Sequence, residues 1–284
     1  MSKGLLDPKV DFVFKNIFGS PNHPEILISF LNATLKPKRK IVNVDIKKTD
    51  IEKQYIEDKY SRLDVKATTS NDEIINIEIQ LKNENNMIKR SLYYLSKMYE
   101  EQLNEKEDYS KLVRTVCINI LNFKYLKTDN FHTGYRFKEI ETNEELTDVM
   151  EVHFIEIPKL HDSSDEKDML VAWTEFLKDP ESEKVRGLEL SIEEIRQAKD
   201  ELIRMSNDST QRELYDMRAN SLRDKISELN AAERKGIEKG RKEGIEEGAK
   251  NKTIEIARNM KLSGLDTNTI AMLTNLSQGE IDKL

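Results

Sequence analysis

Apolar and polar positions alternate most regularly between Arg62 and Gln80. Leu63, Val65 and Ala67 alternate with Arg62, Asp64, Lys66 and Thr68, and Ile75, Ile77 and Ile79 alternate with Asn76, Glu78 and Gln80. A period of two gives a strand with two unlike faces. Ser70-Asn71-Asp72-Glu73, between the two runs, is turn chemistry. The stretch predicts a β-hairpin with Asp64 on the polar face of one strand and Glu78 and Gln80 on that of the next. Two carboxylates and an amide on one sheet face make either a divalent-metal site or a solvated outer face.

The pattern before the hairpin changes to a helical period. Val10, Phe14, Ile17 and Phe18 fall on one side of a helix, with Asp11 and Lys15 one turn apart on another side, and Gly19-Ser20-Pro21 ends it. Pro24 starts a second helix with a stripe at Ile26, Leu27, Phe30 and Leu31. A basic loop, Lys36 to Lys40, leads to a strand at 41–46, and residues 47–60 are charged and irregular. After the hairpin, Met87, Leu92, Leu95, Met98, Tyr99 and Leu103 predict an amphipathic helix, with Lys89, Arg90 and Lys97 as its basic complement. Strands follow at 113–121, 135–137 and 149–157, the last ended by Pro158. Strands interleaved with helices predict an α/β domain over 1–160, a mixed sheet flanked by helices.

From Asp165 onward only helical patterns occur, so an all-α C-terminal extension is expected, as a helical region over 161–250 and a short tail over 251–284. Met169, Trp173, Phe176 and Leu177 share one helical face, and the pattern breaks at Asp179-Pro180. Gly236, Gly240, Gly244 and Gly248 recur every four residues. Each Gly costs a helix about 1 kcal/mol against Ala, so the stretch is either a small-residue contact between helices or a flexible linker. In the tail, Asp266 or Thr267 is a candidate N-cap and Ser277-Gln278-Gly279-Glu280 has the capping-box spacing. The tail reads as a helix-turn-helix-like module or as a small packing or oligomerisation unit.

Composition narrows the class. Charged residues make up 35% of the 284-residue chain and hydrophobic ones 37%, with the apolar strand runs in the N-terminal part. The net charge of −7 excludes a global basic field but not a local basic patch. The single cysteine, Cys117, lies in an apolar run and reads as a buried thiol, so neither a disulfide framework nor a zinc cluster fits. No apolar run approaches the ~18 residues of a membrane span, and no signal-peptide pattern opens the chain. A soluble, cytoplasmic protein with no membrane partner is expected.

Phosphodiester hydrolysis needs a divalent cation, a positioned water and compensation of the phosphate charge. Mg²⁺ and Mn²⁺ favour carboxylate, carbonyl and water oxygens. Asp64 and Glu78 offer two carboxylates, the Ile79 carbonyl a third oxygen, and Gln80 a polar group that orients the attacking water.

Three segments carry a resemblance: DFVFKNIFG at 11–19, RLDVKATT…IINIEIQ at 62–80, and KRSLYYLSKMYEEQL at 89–103. With the glycine tetrads and the Ile-Ala-x-Leu-Thr tail, they resemble the bacterial recombination-promoting nuclease and transposase family of the PD-(D/E)xK superfamily. That resemblance implies a restriction-endonuclease-like core, Mg²⁺- or Mn²⁺-dependent DNA cleavage, and DNA as partner. Gln80 stands where the superfamily places lysine, although glutamine is the residue expected in this family. The phosphate charge then falls to Lys15, Lys82, Lys89 or Arg90, and Asp11 is a further candidate for the metal or its water.

Several of these residues carry plainer readings. Asp11 and Lys15 also read as a surface pair, Arg90 as a salt-bridge partner of Glu78 or Asp64, and Tyr93 and Tyr94 as core residues or as groove lining. The four histidines are assigned no chemistry. Strand transfer on three carboxylates is disfavoured for want of a third strong candidate. A catalytically idle DNA-binding or assembly protein with the nuclease fold is the alternative. Cutting both strands implies a homodimer through the helical C-terminal half.

Overall fold

The computed structural model describes residues 4–47, 65–165 and 167–284. Asp64, Arg62, Leu63 and the irregular stretch after Lys47 lie outside the described residues. The chain divides into two compact units, Met1–Asn220 and Ser221–Leu284.

The first unit is built on a mixed six-stranded sheet of order β1-β2-β3-β4-β6-β5. The strands are β1 (Val44–Lys47), β2 (Val65–Thr69), β3 (Ile74–Gln80), β4 (Thr115–Leu121), β5 (His132–Lys138) and β6 (Glu145–Glu156). β2 and β3 form the expected antiparallel hairpin, with Val65 opposite Ile77 and Ala67 opposite Ile75. β3, β4 and β6 run parallel, with Glu78 opposite Asn119 and Asn119 opposite Phe154. The parallel β3–β4 step requires a crossover, and α3 (Met87–Glu100) supplies it. β4, in the middle of the parallel set, is buried along its whole length.

The period-two pattern assigns the two faces. Ile75, Ile77, Ile79, Val116, Ile118, Ile120, Ile155 and Ile157 join one large apolar core with α1 (Asp11–Phe18), α2 (Pro24–Leu35), α4 (Met169–Lys178), α5 (Glu183–Glu189) and α6 (Glu193–Asn207). Phe18 stands at its centre, 4.6 Å from the Phe14 ring, 5.5 Å from Phe30 and 5.3 Å from Trp173. Trp173 is fully buried and its indole donates to Ser29 Oγ at 3.2 Å. Cys117, Leu121, Val152 and Phe154 face the other way, onto Met87, Tyr94, Leu95 and Met98 of α3. The α/β expectation holds, and so does the inert thiol: burial pushes Cys117 up to about 12.

Gly19, at the end of α1, is held against β2. A Cβ there would lie 2.6 Å from the Lys15 carbonyl oxygen and 3.3 Å from Val65 Cγ2. The end of α1 therefore abuts the first described residue of the hairpin. Pro24 occupies the first turn of α2, where its missing N–H costs nothing. Asp168 caps α4 by accepting from the Leu170 N–H at 2.8 Å.

α7 (Ser209–Leu262) is one continuous helix that begins in the first unit and continues into the second. The four tetrad glycines lie within it, and a Cβ on any of them would meet nothing within 4 Å. The tetrads are thus helical, with open space around them. The second unit closes on a small core of Ala257, Ile270 and Ile281, shared by α7, α8 (Thr267–Thr274) and α9 (Gln278–Asp282). Asp266 caps α8 and the Ser277–Glu280 capping box closes in both directions. No helix among the described residues is long and apolar enough to cross a membrane.

Candidate active site

The polar face of the hairpin is not solvated. α3 lies across it, and Glu78 is only 2% exposed, with Asn76 equally buried beside it. A carboxylate in such a place needs compensation. Arg90, on the first turns of α3, donates from Nη2 to Glu78 Oε1. Burial pushes the Glu78 carboxyl above its ordinary range, against the pull of Arg90 and the lesser pull of the Gln80 amide. Arg90 keeps its charge: burial works against it, and Glu78 more than offsets that. Its guanidinium carbon sits 5.4 Å from the centroid of the Tyr94 ring, a cation–π contact.

The pair is incompletely satisfied. Glu78 Oε2 and Arg90 Nε are both buried, and neither has a hydrogen-bond partner. A buried carboxylate oxygen without a donor is costly, by about 1–3 kcal/mol or more for a charged group, and in a working protein it marks a place for a guest. An acceptor-only oxygen suits a cation. The donor set near it is Glu78, the Ile79 main-chain carbonyl that follows it, and Gln80, which is half-buried at the C-terminal end of β3. All are hard oxygen donors of the type Mg²⁺ and Mn²⁺ prefer. Among the described residues no three His, Cys, Asp or Glu side chains converge on one point.

Asn119 and Ser91 hold α3 in place over this face. Asn119 is buried opposite Glu78, and its Nδ2 donates to the His153 carbonyl at 3.1 Å. That bond fixes its Oδ1, which accepts from the Ser91 hydroxyl at 2.9 Å; the same hydroxyl lies 2.7 Å from the Met87 carbonyl. The sequence reading missed both. A lone polar residue inside the apolar run Val116–Leu121 was the available signal for Asn119.

The remaining predicted residues separate. Tyr94 is buried against Arg90, while Tyr93 is half-exposed. Lys89 is exposed on α3 and Lys82 half-buried in the loop after β3. On α1, Lys15 and Asp11 are exposed; Asp11 pairs with Arg218 at 3.3 Å. The structure thus brings Glu78, Ile79, Gln80 and Arg90 together on one edge. It shows α1 touching that edge through Gly19, beside Val65. Asp64 lies outside the described residues.

The rim of the site is fixed by a second buried pair. Glu156, at the end of β6, accepts from the Tyr125 N–H at 2.6 Å and pairs with Lys159 at 2.7 Å. Lys159 also donates to the Leu126 and Thr128 carbonyls at 2.8 and 2.6 Å. This ties down the loop after β4, whose Tyr125 hydroxyl accepts from the Ile88 N–H of α3 at 3.4 Å.

A further network occupies the opposite end of the sheet. Arg114 joins Glu73 and Glu151, Arg136 joins Glu151 and Glu145, and His153 Nε2 lies 2.7 Å from Glu151 Oε1. The carboxylate accepts only, so His153 donates from Nε2 and its Nδ1 accepts from His132 Nε2 at 2.9 Å. A polar cavity of about 520 Å³ opens there, lined by Lys38, Arg39, Glu73, Arg114, Arg136 and others. Its buried charges are paired with one another.

A family profile described as PD-(D/E)XK nuclease family transposase matches residues 8–232, which span the sheet, α1 to α6 and the start of α7. No curated protein and no solved structure matches the chain.

Proposed function

The chain belongs to the PD-(D/E)XK nuclease family of transposases, and from that premise we propose that it is a metal-dependent DNA endonuclease whose strand breaks promote recombination. The observation that carries the reading is the orphaned, buried Oε2 of Glu78 at the C-terminal edge of the parallel strands. Open α/β sheets place their ligands beyond that edge.

On this reading Asp64, Glu78 and the Ile79 carbonyl hold Mg²⁺ or Mn²⁺, with Asp11 as a further ligand to the ion or its water. When bound, the ion lowers the pKa of its water and neutralises developing charge on the phosphate. Gln80 cannot supply a cation, but its amide both donates and accepts, which suits it to orient a water between Glu78 and the phosphate. Arg90, with Lys15 from α1, compensates the phosphate oxygens. α3 keeps bulk water from Glu78, which strengthens each of these interactions. Cleavage of both strands calls for two sites, and the helical C-terminal half is the proposed surface for pairing two copies in the cytoplasm.

One observation favours a second reading, a catalytically idle DNA-binding or assembly protein. Arg90 already occupies Glu78 Oε1, as a structural cation would. Plasmid nicking in Mn²⁺ separates the two. The nuclease reading expects wild type to nick and Asp64→Ala and Glu78→Ala to fall at least a hundredfold, roughly the loss of a metal ligand. Equal nicking by wild type and Asp64→Ala refutes the assignment. If wild type binds DNA but neither nicks it nor takes up Mn²⁺ in calorimetry, the second reading stands.

A further inference from the structure

α3 turns one side to Glu78 and leaves another side open. On that open side Ile88, Leu92 and Tyr93 are 46%, 49% and 52% exposed. Exposed Lys89 lies among them, and no acidic residue occurs from Met87 to Tyr99, although the chain carries 53 in 284 positions. Tyr93 stands 5.7 Å from Tyr94 in a T-shaped contact, and Tyr94 carries Arg90 on its face. At the start of α3, the anchored loop after β4 adds exposed Lys124 and Lys127 on either side of Tyr125. The open side is therefore basic, partly aromatic, and continuous with the Glu78 site.

We propose that this face is the track for an unpaired nucleic-acid strand, with Tyr93 as the platform on which an unpaired base stacks. The site then prefers DNA with single-stranded or flapped nucleotides over continuous duplex; the inference rests on the nuclease reading of the adjoining site. The chemistry separates the substrates. In a duplex the base faces are covered by their neighbours, so an exposed ring reaches only edges and backbone. Ile88 and Leu92 offer phosphates nothing and Tyr93 a single hydroxyl, whereas an unpaired base presents the apolar π-face all three fit. Lys89, Lys124 and Lys127 supply the sequence-independent attraction to phosphate. A second copy of this chain fits the face less well. In a two-fold seam each basic face would meet its own copy, with only Glu100, at the last position of α3, as an acidic partner on that helix.

The test is binding in EDTA, where cleavage cannot occur. Fluorescence anisotropy compares one labelled oligonucleotide as single strand, as blunt duplex and as a duplex with a flap. Wild type is expected to bind the single strand and the flap more tightly than the duplex. Tyr93→Ala should weaken single-strand binding about tenfold, within the range for loss of one stacked base, and duplex binding less than about twofold. Tyr93→Phe keeps the ring and should bind as wild type, while Tyr93→Leu should behave as Tyr93→Ala. Unchanged fluorescence of Trp173, the single tryptophan, confirms folding of each variant. The inference is overturned if wild type binds duplex as tightly as single strand, if Tyr93→Ala weakens both equally, or if Tyr93→Ala turns a dimer into a monomer in sedimentation. Single-strand preference without Mn²⁺-dependent cleavage would sink the nuclease reading alone. Duplex cleavage indifferent to Tyr93 would sink this inference alone.

Discussion

Removing Arg90 tests whether the Glu78 edge is built for a cation. In Arg90→Met the stem is kept and the charge is lost, so Glu78, 2% exposed, becomes a buried carboxylate with no counter-charge. Breaking a buried ion pair on one side costs about 3–5 kcal/mol. Two features place this case at the lower end, near about 3 kcal/mol: the Arg90 side chain is itself 25% exposed, and an unpaired Glu78 can escape by taking up a proton. Glu78→Gln leaves an arginine with a route to water and should cost about 1–2 kcal/mol. The double variant leaves no charge unpaired and should cost far less than the sum, a coupling of about 2 kcal/mol or more. Urea unfolding in EDTA, followed by Trp173 fluorescence, reads the first unit by itself, since that residue is fully buried there. Mn²⁺ should then return stability to Arg90→Met, by about 2.7 kcal/mol at a hundred times its Kd, and should return none to Glu78→Gln. Additivity of the two substitutions within about 0.5 kcal/mol, or equal Mn²⁺ stabilisation of Glu78→Gln, would refute the reasoning.

Two further predictions use other parts of the fold. Gly19→Ala places a methyl 2.6 Å from the Lys15 carbonyl oxygen, so α1 must shift off Val65; a loss of about 1–3 kcal/mol in urea unfolding is expected, with a fall in any Mn²⁺-dependent nicking because the hairpin edge moves. Acid should weaken the first unit through His132. Burial first, then His153 and Lys36, hold this imidazole down to about 4, while Asp168 and Glu151 pull the other way. Between its unfolded value near 6.5 and about 4 the unfolded chain binds the extra proton, so stability is lost as pH falls, by about 2 kcal/mol from pH 7 to pH 5. His132→Gln should flatten that part of the urea midpoint–pH curve, and an unchanged slope in the variant contradicts the assignment.

The strands were legible because the sheet has unlike faces. Ile75, Ile77 and Ile79 announce β3 without any knowledge of its partners, and the expected hairpin forms with Val65 opposite Ile77. What the pattern concealed was the environment of the polar side. Alternation places Glu78 opposite the isoleucines, but whether water or a helix covers it depends on a crossover that no local window contains. The same limit explains the phase of α3. An apolar stripe through Leu92 is the natural reading, yet Leu92 is exposed and Ser91 buried, because the Ser91 hydroxyl meets Asn119 on another strand. The histidines were set aside for the same reason: His132 and His153 are joined only by the pairing of β5 with β6, 21 positions apart. The tetrad glycines show the converse. Their spacing suggested a contact or a linker; α7 continues through them as helix, with nothing of this chain within 4 Å of a Cβ at any of the four.

The charge balance of the Glu78 edge accounts for the absence of a lysine at position 80. With no ion present, Glu78 and Arg90 neutralise each other in a place that tolerates no net charge. On the proposed reading, a divalent ion held by Asp64 and Glu78 is itself neutralised by the two carboxylates. Arg90 is then left as a single positive charge on the helix nearest the substrate, matched to the single negative charge of a phosphodiester. A lysine at 80 would add a second cation beside the metal. Glutamine adds no charge there and can both donate and accept. On that reading the cation stands on α3 as Arg90, where Tyr94 supports its face and the Ser91–Asn119 bond ties the helix to the sheet.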